Sequence, residues 1–186
     1  MATFTRELFC AGFGGQGVMV LGQLVAYAGM EEGRFVTWMP SYGPEMRGGT
    51  ANCAVVVSES EIGSPFVSRA DIVITFNQPS LDKYDNLVGP GGILIYNCDI
   101  SKYEKQREDI KVVAIPASRL AHEVGNEKAL NIVMLGALIE LSDIANAETA
   151  VKVIREKLGA KKPQYLESNL KAFEEGRRAA ALLTRQ

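Results

Sequence analysis

The sequence is poor in the residues that build metal centres and acid–base sets. It has three cysteines, Cys10, Cys53 and Cys98, and one histidine, His122. The cysteines form no CxxC or CxxxxC pair, and an odd, scattered set gives no disulfide framework. Without close ligand pairs, no zinc or iron–sulfur site is expected from this chain alone. All three read as small core hydrophobes. His122 stands between Ala121 and Glu123 and reads as an ordinary surface or core residue. No G-x-S-x-G elbow, H-E-x-x-H helix or G-x-x-x-x-G-K-[ST] loop occurs. Long apolar runs are also lacking: the longest, Val18 to Met30, is broken by Gly22, Gln23 and Gly29. It falls short of the ~20 apolar residues of a membrane span. MATFTRELF has no basic region followed by an apolar run, so it does not read as a signal peptide. No membrane is expected, and the cytoplasm is the expected compartment. Charge of one sign is not in excess, with 20 Lys and Arg against 22 Asp and Glu. That balance gives no electrostatic reason to expect nucleic acid as a partner.

What is present is ordinary globular composition, 47% hydrophobic and 23% charged over 186 residues. One domain spanning 1–186 is expected. Leu8 to Ala11 is a short apolar run ending in glycines and reads as a buried strand. Val18, Leu21, Leu24, Val25 and Ala28 then share one helical face. Arg34–Met39, Asn52–Val57, Asp71–Phe76, Ile93–Tyr96 and Val112–Ile115 read as further strands. Pro40–Thr50 reads as a long loop and 89–92 as a turn. Helices are expected at Pro79–Leu87, after Pro116, over Asn126–Ser142, and near 147–158 and 163–183. Asp82, Lys83 and Asp85 fit a solvated helix face. Apolar strands alternating with helices indicate an α/β, Rossmann-like fold. The sheet should be mostly parallel, with helices on both faces and a helical C-terminal portion.

Two loops carry the chemistry. Gly12-Phe13-Gly14-Gly15-Gln16-Gly17 matches G-x-G-x-x-G, after a strand and before a helix. Glycines permit a tight turn and close backbone approach, and a helix N-terminus offers N–H groups to an anion. A dinucleotide site also wants an acid at the end of the second strand. That strand ends Thr37-Trp38-Met39-Pro40, without one. Three readings stay open: a dinucleotide, another anion or polar group shared with a partner subunit, and a purely structural turn.

Ser41-Tyr42-Gly43-Pro44-Glu45-Met46-Arg47-Gly48-Gly49 would leave the sheet edge at which open α/β sheets bind ligands. Arg47 offers a planar fork to a carboxylate or phosphate, with Glu45 holding it or meeting a partner. The alternative is a Glu–Arg pair bracing the loop. Asn126 suits a helix N-cap. Asn131 falls inside a helix, where its amide is mildly unfavourable. That mismatch points to a tertiary or ligand hydrogen bond. No residue is singled out as catalytic.

GFGGQG at 12–17 followed by SYGPEMRGGTAN at 41–52 resembles the gamma subunit of 2-oxoacid:ferredoxin oxidoreductases. Ile62-Gly63-Ser64-Pro65, Ala70-Asp71, Asn77-Gln78-Pro79-Ser80 and GNEKALNIVMLGAL at 125–138 support the resemblance. TWMPSYGPEMRGG looks most like the 2-oxoglutarate or branched-chain members. The resemblance implies a complex that decarboxylates a 2-oxoacid with coenzyme A. Its products would be an acyl-CoA, carbon dioxide and reduced ferredoxin. It implies thiamine diphosphate and magnesium on alpha and beta subunits, and iron–sulfur clusters on the beta or a separate delta subunit. This chain would bind no cofactor alone. It would complete the assembly and help shape the coenzyme A site, with ferredoxin reached through the complex. Gly12, Gly14, Gly15, Gln16, Gly17, Ser41, Tyr42, Glu45, Arg47, Gly48, Gly49 and Asn131 are the candidate binding residues. The other readings are a stand-alone nucleotide-binding oxidoreductase and a non-enzymatic binding protein of the same fold.

Overall fold

A computed structural model of the chain describes residues 4–43 and 49–184. Six strands form one sheet: β1 (Thr5–Phe13), β2 (Phe35–Tyr42), β3 (Thr50–Ser58), β4 (Ala70–Thr75), β5 (Val88–Asn97) and β6 (Lys111–Ile115). Their spatial order is β2-β3-β1-β4-β5-β6. β1, β4, β5 and β6 run parallel, whereas β3 is antiparallel to both β1 and β2. The sheet is therefore mixed at one side. The short connection from β2 to β3 has no room for a crossover helix, so the chain turns straight back on itself.

Strand β2 runs on past Met39 through Pro40, Ser41 and Tyr42, all paired with β3. Pro40 fits there because β2 is an edge strand. Gly43 N donates to Thr50 O at 2.7 Å, so Pro40 falls at a position whose backbone nitrogen faces away from β3.

The helices are α1 (Val18–Glu31), α2 (Gln78–Tyr84), α3 (Ala117–Glu123), α4 (Leu130–Leu141), α5 (Ala147–Ile154) and α6 (Leu166–Leu183). α4 is buried over nine consecutive residues, Asn131 to Ile139. A helix apolar on every side belongs in the middle of a protein. Here α6 packs on it from one side, while α1 and α3 also touch it. One large core joins these helices to Leu8, Cys10, Val55, Ile74 and Ile95 of the sheet. Cys10 and Cys53 face each other across β1 and β3, fully buried. Burial pushes the Cys10 thiol well above its ordinary value. Trp38 packs half-buried against the same core.

The other face has a thinner cover. α2 packs on β1 and β4, with the Phe9 and Tyr84 rings 4.8 Å apart. The segment 101–110 straps the rest. Its anchor overturns the solvated-face reading of Asp85, which is 0% exposed. Lys105 Nζ reaches Asp85 Oδ1 at 2.9 Å, and Arg107 donates to Asp85 O at 3.0 Å. A helix-face pattern gave no sign of it because both partners lie about 20 residues downstream. Asn126 is also corrected: it makes no side-chain cap. Its amide instead donates to Ser168 Oγ and Asn169 Oδ1 on α6.

Candidate functional site

Strand β1 ends at Phe13, and the chain reverses through glycines into α1. Gly15 (φ 98°) and Gly17 (φ 81°) take left-handed conformations that suit glycine alone. Gly17 is the residue before α1, and no side chain caps that helix. The first helical bond, Leu21 N to Gly17 O, is 3.0 Å. The N–H groups of the first turn precede it and lie at the positive end of the helix.

The loop is built around Gln16. Its Oε1 accepts from Phe13 N at 2.7 Å and from Asn77 Nδ2 at 2.9 Å. Asn77 follows β4, is 3% exposed, and caps α2 by accepting from Ser80 N at 2.9 Å. A Cβ on Gly12 would lie 2.8 Å from Gln16 Oε1 and from Phe76 Cβ. Gly12 is therefore needed for Gln16 to fold back.

Asn131, 5% exposed on α4, donates to Gly17 O at 3.2 Å. That is the tertiary bond its place inside a helix suggested. A Cβ on Gly17 would stand 2.5 Å from Asn131 Cγ.

The second loop meets the first. Gly14 N donates to Gly49 O at 3.0 Å. Gly14 and Gly15 are exposed, as are Ser41 and Tyr42 at the end of β2. Tyr42 is 69% exposed. Glu45, Arg47 and Gly48 lie outside the described residues. Among the described residues of both loops there is no Asp, Glu, His, Lys or Arg. These residues can bind and orient a ligand, but they contain no acid–base pair.

The site sits at a topological switch point. From β1 the chain leaves through α1 towards β2, while β4 lies on the other side of β1. Ligands of open α/β sheets bind in such crevices, beyond the carboxyl ends of the strands. The dinucleotide reading loses ground on the same topology. β2 runs parallel to β1, but β3 lies between them. The strand end that would carry a ribose-binding acid is thus one strand removed from the glycine loop.

Sequence reasoning missed Asn77 as part of this site. The signal was available as an Asn before Gln-Pro-Ser, a helix-cap pattern, directly after an apolar strand. Elsewhere, His122 is exposed and lies 3.2 Å from Glu127 Oε1. Among the described residues, no three His, Cys, Asp or Glu side chains cluster to hold a metal. None of the described helices is long and apolar enough to cross a membrane.

The profile of the family described as pyruvate ferredoxin/flavodoxin oxidoreductase matches residues 7–179. The ketoisovalerate oxidoreductase subunit VorA of Methanothermobacter marburgensis is 39% identical over 166 residues. The match covers 89% of this chain and 34% of VorA, so the chain spans about a third of that relative's length. The 2-oxoglutarate synthase subunit KorC of Methanothermobacter thermautotrophicus is 36% identical over 185 residues, covering 95% of this chain and 96% of KorC. Among solved structures, the gamma subunit of a keto/oxoacid ferredoxin oxidoreductase from Geobacter sulfurreducens matches with a TM-score of 0.82 at 28% identity. That match covers 95% of this chain and 99% of the other. The 2-oxoglutarate:ferredoxin oxidoreductase of Magnetococcus marinus, solved with 2-oxoglutarate, coenzyme A and succinyl-CoA, matches with a TM-score of 0.87 at 28% identity. It covers 96% of this chain and 31% of that one.

Proposed function

The chain belongs to the pyruvate ferredoxin/flavodoxin oxidoreductase family, and on that premise we propose that it is the gamma-type subunit of a 2-oxoacid:ferredoxin oxidoreductase. The assembled enzyme would convert a 2-oxoacid and coenzyme A to an acyl-CoA and carbon dioxide, passing electrons to ferredoxin. Within it, this chain would be a single domain that completes the assembly and helps shape the coenzyme A site. It would work in the cytoplasm.

One observation carries this reading. The two glycine-rich loops join at the switch point through Gly14 and Gly49, beside an uncapped helix N-terminus, with no acid–base pair among their described residues. Such a site can receive phosphate oxygens of coenzyme A on backbone N–H groups. In the same reading Arg47 adds a planar fork to a phosphate. The chemistry of decarboxylation would come from thiamine diphosphate with magnesium, and electron transfer from iron–sulfur clusters, on alpha, beta and, where present, delta subunits. The cysteines of this chain do not fit a cluster: Cys10 and Cys53 are buried as a pair in the core, and Cys98 stands apart, just past the end of β5.

For the substrate, the TWMPSYGPEMRGG loop and the full-length match to KorC favour 2-oxoglutarate. The match to VorA favours a branched-chain 2-oxoacid as the second reading. The test is co-expression with the alpha, beta and any delta subunits of the same organism. Viologen reduction is then assayed with 2-oxoglutarate, 2-oxoisovalerate and pyruvate, with and without coenzyme A. We expect co-purification and coenzyme A-dependent activity, fastest with 2-oxoglutarate, that needs this chain. Full activity in a complex lacking the chain would overturn the proposal.

A further inference from the structure

We propose that Asn77 is a positioning residue for the glycine loop, acting through Gln16 across the switch-point crevice. The inference rests on the coenzyme A reading above for what the loop meets, but not for how the loop is held.

Two backbone N–H groups set the direction of every bond in the network. Ser80 N needs an acceptor at the start of α2, so Asn77 must present Oδ1 to it at 2.9 Å. Nδ2 of Asn77 then faces Gln16 at 2.9 Å and can only donate. At the far end, Phe13 N donates to the same Gln16 oxygen at 2.7 Å. Gln16 Oε1 therefore takes two donors, and its Nε2 is left to face Phe76 O at 3.4 Å. Neither Gln16 nor Asn77 can flip its amide without setting donor against donor. The bonds tie the turn after β1 to Asn77, two residues past β4. Asn77 is buried, while Gly14 and Gly15, the residues it braces, are exposed. Residues held in place by a buried neighbour and turned outward are arranged to meet something.

The informative substitution is Asn77→Asp. Aspartate caps a helix as well as asparagine does, so α2 keeps its cap. Its second oxygen, however, now faces Gln16 Oε1. If Gln16 flips to answer it, Nε2 meets Phe13 N and that backbone donor loses its acceptor. A residue that only caps α2 would leave Asn77→Asp silent. A residue that positions the loop would not.

Two measurements separate the possibilities. In the full-length chain, Asn77→Asp should speed hydrogen exchange at the Phe13 amide by about 3- to 10-fold, the worth of one lost hydrogen bond, with the melting temperature lowered by only a few degrees. In the assembled enzyme, the KM for coenzyme A should rise by a similar factor, with kcat and the KM for the 2-oxoacid little changed. Unchanged exchange in Asn77→Asp overturns the positioning role. Faster exchange with an unchanged KM for coenzyme A leaves that role standing and overturns the coenzyme A reading.

Discussion

Glycine serves two regions of this molecule for opposite reasons. Where α4 crosses α6, a Cβ on Gly136 would lie 2.0 Å from Phe173 O, and one on Gly176 would lie 1.9 Å from Val133 O. Each glycine receives the backbone of the other helix, and any side chain would force the helices apart. At the tip of the glycine loop, a Cβ on Gly15 would meet no described residue within 4 Å. There the requirement is conformational, φ 98°. The first region spends its glycines on the chain's own core. The second leaves room that none of the described residues fills.

The largest effect should come from the first region. Gly136→Ala or Gly176→Ala should destabilise the chain by about 3 kcal/mol, the upper end for overpacking, because backbone cannot move aside as a side chain tip can. Thermal unfolding and soluble yield would show it. A variant that folds with a near-normal melting temperature would erase the distinction between the two regions.

Gly17→Ala lies between the extremes. A left-handed residue with a Cβ costs roughly 1–2 kcal/mol, and Asn131 must also yield. A loss of about 2–3 kcal/mol is expected. Adding Asn131→Ala should return only part of it, since the collision goes and the backbone strain stays. Full recovery in the double variant would make Gly17 a packing glycine like Gly136.

Gly15→Ala should cost only about 1 kcal/mol in the isolated chain. Its effect belongs in the assembled enzyme, as a raised KM for coenzyme A. Equal activity of this variant and the natural complex would mean that the tip is not used.

These two regions were not equally legible from sequence. The strand-glycine-helix order at 8–30 has a local pattern, and so does Asn131 out of place in a helix. The α4–α6 crossing has none: Gly136 and Gly176 are 40 residues apart, and helical periodicity says which face is apolar but not where two backbones touch. The direction of β3 was hidden likewise, because an apolar strand reads the same in either sense. Asp85 looked solvent-facing for want of a local clue to Lys105. Asn77 was noticed only as part of a resemblance. Its role depends on Gln16, which is distant in sequence and adjacent only once β4 lies beside β1.

The smallest effect joins the two regions. Arg6 on β1 forms two 2.6 Å bonds to Asp143, just beyond α4. It thus ties the strand that carries the glycine loop to the helix pair. The Arg6 hydrogen bond and charge hold the Asp143 carboxyl below its usual value. The pair's stabilisation is therefore fully present above the unfolded value of about 3.9 and fades as pH falls through the lower, folded value. Both side chains are about a third exposed or more, so solvent screens the pair and it contributes at most about 1 kcal/mol. Arg6→Ala should lower the melting temperature slightly at pH 7 and flatten its decline below pH 4. The glycine loop should stay as it is, because Asn77 and Asn131 hold it from other elements. Faster exchange at Phe13 in Arg6→Ala would instead mean that the loop and the helix pair are mechanically one unit, held together through β1.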